Sequence, residues 1–134
     1  MTKTHFLAWL VCFTGCQAPR EDTPEAAYRS FAAAANKGDD AAAFSRLTSG
    51  TQQAVRERLA GLSTASGGSM REDAASLMFR GGRATPITAV QLLKKEQDRA
   101  TLAVSTGERT REVTLRREGA EWRVELRLEQ PASP

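Results

Sequence analysis

ATLAVSTGERTREVTLRREGAEWRVELRL, residues 100–128, changes character at almost every second residue. Ala100, Leu102 and Val104 alternate with Thr101, Ala103 and Ser105. Val113 and Leu115 alternate with Glu112, Thr114 and Arg116, and Trp122, Val124, Leu126 and Leu128 alternate with Arg123, Glu125 and Arg127. A period of two belongs to a strand, and one dry and one wet face per strand belongs to an antiparallel sheet covered on one side. Residues 106–109 and Gly119-Ala120 supply the turns. A tight turn at Gly119-Ala120 pairs Leu115 with Val124 and Val113 with Leu126 on the dry face, and Thr114 with Glu125 and Glu112 with Arg127 on the wet face. The same register sets Arg116 opposite Arg123, a like-charge pair that Glu121 and Glu125 can relieve diagonally.

Working back from this segment, residues 87–96 predict one more strand before a turn at Gln97-Asp98. The adjacent Leu92 and Leu93 leave its register open. Upstream, over residues 23–80, the period becomes helical. Thr23-Pro24-Glu25 combines a capping hydroxyl, a proline in the first turn and an acid at the positive end of the helix dipole. Tyr28, Phe31, Ala32 and Ala35 form one face, and Asn36-Lys37-Gly38 is a stop. Asp39 and Asp40 open a short second helix carrying Phe44 and Leu47. Ser49 followed by Gln52 fits a capping box for a third helix with Val55, Leu59 and Leu62 as its apolar stripe. Residues 63–69 read as a loop, and residues 71–79 as a last helix offering Ala74, Leu77 and Met78 to the core before Gly81-Gly82. Helices followed by a meander of about four strands predict an α+β domain, its N-terminal helices packed on one face of a curved antiparallel sheet.

The chain has 134 residues and a formal net charge of +3, the size of one domain. Its basic residues are 15 arginines and 4 lysines. On the wet strand faces they interleave with glutamates, where a nucleic-acid surface needs a single-sign patch with stacking aromatics. No nucleic-acid partner is expected. Asp39-Asp40 and Glu72-Asp73 read as helix-dipole partners, without the spacing of a calcium loop. Gly61-Leu62-Ser63-Thr64-Ala65 follows a helix instead of a strand and has no histidine to activate Ser63, so it is no nucleophile elbow.

The first sixteen residues are different in kind. Lys3 precedes an apolar run at residues 6–13, too short to span a bilayer and built like an export signal. Phe13-Thr14-Gly15-Cys16 resembles the bacterial lipobox, with Phe13 where leucine is commonest. The resemblance implies a signal peptide over residues 1–15, diacylglycerol on the Cys16 sulfur, usually an acylated mature N-terminus, and membrane anchoring through those chains, palmitate among them. Residues 16–22 then form a polar tether containing Pro19, and residues 130–134 a disordered tail. Gln17 in place of aspartate after Cys16 points, by the enteric sorting rule, to the outer membrane at its periplasmic face.

His5, Cys12 and Cys16 are all the histidine and cysteine in the chain. Removal of residues 1–15 would leave no histidine and one lipidated cysteine. A Cys/His zinc site, a histidine-dependent nucleophile and a structural disulfide would all be excluded. No metal, cofactor or catalytic residue is expected, and the protein is read as a non-enzyme.

Thr23-Pro24-Glu25-Ala26-Ala27, then Phe31, then Lys37-Gly38-Asp39, Ala43-Phe44 and finally Gly119-Ala120-Glu121-Trp122-Arg123-Val124 are similar in order and spacing to small bacterial lipoproteins with a nuclear-transport-factor-2-like fold. The resemblance covers about residues 22–128 and sets the domain at residues 23–129. It implies a bent sheet wrapped around the first helix as a cone, although this chain is a strand or two shorter than the fullest members. Tyr28, Phe31, Phe44, Phe79 and Trp122 are the candidate cavity lining, with core packing as the competing role for each. The expected function is a lipid-anchored envelope protein whose small domain binds or scaffolds, with an envelope protein as a possible partner. The alternative is an isomerase-like or cyclase-like enzyme, or a carrier of a small hydrophobic ligand, using the cone. The dry strand face offers no interior carboxylate for acid–base work.

Overall fold

A computed structural model describes residues 23–69, 73–79 and 85–128 of the chain. Among the described residues four helices, α1 (Pro24–Lys37), α2 (Asp40–Ser45), α3 (Ser49–Ala65) and α4 (Ala74–Phe79), precede four strands, β1 (Ala89–Lys95), β2 (Arg99–Thr106), β3 (Arg109–Glu118) and β4 (Glu121–Glu125). The strands form one open antiparallel meander in the order β1-β2-β3-β4. The α+β class is as the patterning predicts.

Local chemistry accounts for the helix ends. The Thr23 hydroxyl accepts from the Ala26 amide at 3.2 Å, and Pro24 begins the helix. At the other end Gly38 has φ +75°, and the chain closes with Gly38 N–H donating to Ala35 and Asp39 N–H to Ala34. That paired closure satisfies two carbonyls that α1 leaves open. Asp39 then caps α2 through its carboxylate, which accepts from the Ala42 amide.

The third helix departs from expectation. Its cap is Thr48, one residue before Ser49: Thr48 Oγ1 accepts from the Thr51 amide and donates to Thr51 Oγ1 at 2.8 Å. Ser49 is instead the first helical residue, and its amide and hydroxyl both donate to Glu118 in β3. Gln52 Nε2 donates to the Leu47 carbonyl and does not close a capping box. Of the expected stripe only Val55 is buried. Leu62 is 39 % exposed, because the second half of α3, which runs on to Ala65 through part of the expected loop, extends beyond the main core. The fourth helix starts at Ala74, with Asp73 Oδ1 accepting from the Ser76 amide. Ala74 and Met78, both half-buried, pack against the core with Ala75 and Phe79 beside them, and Leu77, equally half-buried, is not part of that packing. The expected beginning of this helix at residue 71 and the Gly81-Gly82 stop lie outside the described residues.

The sheet register matches the alternation where strands exist to carry it. Leu115 pairs with Val124, Thr114 with Glu125 and Arg116 with Arg123. The pairs expected beyond these, Val113 with Leu126 and Glu112 with Arg127, do not form, because β4 ends at Glu125. There the Leu126 amide donates to Thr51 Oγ1, so the chain leaves β3 for the start of α3. The first strand contains a bulge: Leu92 pairs with Leu102 and Lys94 with Thr101, and Leu93 is squeezed out between them, 50 % exposed. Two adjacent leucines cannot both face inward on a regular strand, and the bulge resolves the conflict.

Ala100, Leu102, Val104, Val113, Leu115, Trp122 and Val124 join Ala27, Tyr28, Phe31, Ala43, Phe44, Leu47 and Val55 in one buried cluster. The first helix lies across the sheet against β4, β1 and β2, and α4 packs against α2 and α3. The chain between α2 and α3 seals the outer edge of β4: the Thr48 amide donates to the Val124 carbonyl and the Val124 amide to the Arg46 carbonyl, each at 2.9 Å.

Candidate functional site

The register fixes two surface features, one on each face of the sheet. On the dry face the alternation through Leu115 and Val113 continues to Arg111, opposite Val104. An arginine there sits beside α1. Arg111 itself is exposed. Arg111 Nη2 donates to the Tyr28 hydroxyl at 3.1 Å. Tyr28 is only 2 % exposed, so this contact meets the hydrogen-bonding need of a buried phenol. Around the pair is a recess of about 190 Å³ lined by Tyr28, Phe31, Asn36, Ile87, Thr106 and Arg111 among others. Its polar groups are a phenol, a guanidinium, an amide and hydroxyls. They suit hydrogen bonding to an acceptor on a small, partly apolar molecule, and the lining includes no carboxylate among the described residues.

Of the candidate cavity residues, Tyr28 and Phe31 meet at this recess, their ring centroids 5.8 Å apart. Phe44, Phe79 and Trp122 do not line it. Phe44 is buried in the core with the Arg56 guanidinium 5.4 Å from its ring centre. Phe79 is half-buried, 6.1 Å from Phe31. Trp122 is buried in the same cluster, with Lys95 Nζ 5.8 Å from its ring centre. Cys16 lies outside the described residues. Arg111 is the member the residue pattern did not single out. Its signal was available: two residues before Val113, it continues the same face.

On the wet face three arginines stand in one row across three strands, with Arg99 opposite Arg116 and Arg116 opposite Arg123. Arg116 Nε binds Glu125 Oε1 at 3.0 Å. Arg123 is held by Glu121 at 3.1 Å and by the Ser45 carbonyl at 3.0 Å, with Glu118 at 3.8 Å. These contacts relieve the like-charge pairing expected of Arg116 and Arg123. Two adjoining recesses, each about 400 Å³, flank the row and share Arg99, Glu125, Leu126 and Arg127.

Among the described residues no cluster of three or more acidic, histidine or cysteine side chains is placed to hold a metal ion, and no helix is long and apolar enough to cross a membrane. No protein-family model matches the chain, and neither does any curated protein or solved structure.

Proposed function

We propose that this protein is an exported lipoprotein, held to a bacterial envelope membrane by lipid on Cys16, whose α+β domain, nuclear-transport-factor-2-like in type, works by binding or scaffolding. The observation that carries this reading is Phe13-Thr14-Gly15-Cys16, placed directly after an apolar run and followed, after a short polar stretch, by the helix cap at Thr23. Two or more acyl chains at about 0.8 kcal/mol per buried methylene make a stable anchor. The outer membrane, at its periplasmic face, is the site of action that Gln17 favours. A binding role for the domain is supported by the polar groups of the Tyr28–Arg111 recess, which offer hydrogen-bond donors to a ligand. That recess also favours a second reading, a carrier of a small, partly apolar ligand seated between Tyr28, Phe31 and Arg111.

Fractionation of a bacterial host expressing the chain, with metabolic palmitate labelling, tests the anchor. The wild type is expected in the membrane fraction and labelled. Cys16→Ala is expected to lose the label and to remain unprocessed or leave the membrane. A Cys16→Ala variant that fractionates, migrates and labels like the wild type refutes the anchor.

A further inference from the structure

We infer that the wet face of the sheet carries a binding site for a phosphoryl group, formed by Arg99 and Arg127 beside Arg116. The side chains of Arg99 and Arg127 make no hydrogen bond or ion pair among the described residues, whereas their neighbours Arg116 and Arg123 are engaged by glutamates. Both unengaged arginines line the recess that runs from Arg116 to the start of α3. Among the described residues three arginines line that recess with a single glutamate, an excess of two positive charges, and that glutamate is already bound to Arg116. Arg99 is also half-buried and stands opposite a second arginine, Arg116. Like charges opposite one another on a sheet are destabilising unless something offsets them. Lys94 is the main partner of nearby Glu96, whose carboxyl it holds below the usual carboxylate range through a hydrogen bond and its charge, with Arg99 adding less.

The ligand class follows from the forks. A guanidinium presents paired donors in a plane that matches phosphate or carboxylate oxygens. Two unengaged forks over one recess call for a group with at least three acceptor oxygens and up to two charges, which a phosphoryl group has and a single carboxylate lacks. The recess of about 400 Å³ exceeds a bare phosphate, and Ala54, Leu126 and Leu128 give it an apolar side for the rest of the molecule. A phospholipid headgroup and a soluble phosphate ester share this chemistry. The site lies on the opposite face of the sheet from the Tyr28 recess and is independent of whether Cys16 carries lipid.

The test is a pair of titrations of the full chain in neutral detergent, one with glycerol 3-phosphate and one with micelles doped with phosphatidylglycerol. Saturable binding to at least one probe is expected. Arg99→Gln with Arg127→Gln is expected to weaken it by about tenfold for each arginine removed. Arg29→Gln with Arg58→Gln removes the same charge from exposed helix positions and is expected to leave binding within about twofold. Arg99→Lys with Arg127→Lys keeps the charge without the fork and is expected to fall between, which guards against misfolding of the glutamine pair. Binding to glycerol 3-phosphate identifies a soluble ester, and binding to the doped micelles alone identifies a headgroup. No saturable binding to either probe, or an equal loss in the Arg29 and Arg58 pair, overturns the proposal.

Discussion

Replacing Trp122 with alanine gives the most demanding test of the packing. Trp122 is 5 % exposed, sits in the buried cluster with Leu115 and Val124, and has its ring capped by Lys95 at 5.8 Å. Its position comes from register: it is opposite Arg117 at the turn end of the β3–β4 hairpin, one alternation from Val124. Truncation removes nearly all of an indole from the interior and leaves a void between the sheet and the helices. Large aromatic-to-alanine changes of this kind cost about 3–5 kcal/mol. The cation over the ring contributes about 0.5–1 kcal/mol of its own where it is exposed to solvent, as Lys95 is. A domain of this size has a total stability of about 5–15 kcal/mol, so the variant would lie near the edge of folding. Urea unfolding followed by far-ultraviolet circular dichroism should show a large fall in the midpoint with an unchanged slope. Trp122→Phe, which keeps an aromatic ring in place, should lose less than half as much. A loss below about 1 kcal/mol for the alanine variant is what a surface side chain gives, and it would refute the burial of Trp122 and the β3–β4 register behind it.

Other perturbations separate individual contacts. Thr48→Ala removes the buried cap that serves α3 and should cost about 1–2 kcal/mol by the same unfolding measurement, whereas Ser49→Ala should cost less because Ser49 does not cap the helix. Gly38→Ala has free space for a Cβ but must hold φ +75°, so it should lose about 1 kcal/mol through backbone strain alone, read as a lowered midpoint. Asp73 is held below its ordinary value of 3.8, first by its hydrogen bond from the Ser76 amide and then by the Ser76 hydroxyl. Its cap on α4 is therefore fully present above that ordinary value and is lost as pH falls through the lower folded value, and the protection of the Ser76 and Leu77 amides against exchange, taken relative to each amide's intrinsic rate at the same pH, should fall only on that acid side.

The sequence was legible where two local signals agreed. The β3–β4 register followed from alternation plus a glycine turn, and Gly119 takes the positive φ that such a turn needs. Agreement failed where one signal had two solutions. Leu92 and Leu93 allowed either register, and only pairing to β2 selected the bulge. Thr48, Ser49 and Thr51 are all hydroxyl residues, so a capping pattern read from Ser49 and Gln52 could not see that the Thr48 amide is tied to β4 and stands at the helix boundary. The stripe at Leu59 and Leu62 fits the helical period but extends past the elements that bury Val55. The aromatic candidates divided for a similar reason: composition cannot tell a lining ring from a core ring, and only Tyr28 and Phe31 reach the recess. Arg111 and Arg99 went unmarked because each lies at the end of its strand's alternation, where one more step on the same face carries the chemistry.

The Leu93 bulge has a consequence for self-association. The far side of β4 is already bonded to the chain at Arg46 and Thr48, so among the described strands β1 is the one left to recruit a second copy. Such recruitment needs an unbroken run of backbone donors and acceptors in regular alternation. The bulge divides β1 into two short runs out of phase with each other, and Lys94 and Lys95 occupy the second of them. Two such strands brought together would have to match offset spacings while crowding four ammonium groups. Deleting Leu93 would regularise the strand and remove part of that protection, so the same extra residue that settles the inward-facing register also keeps the sheet from growing.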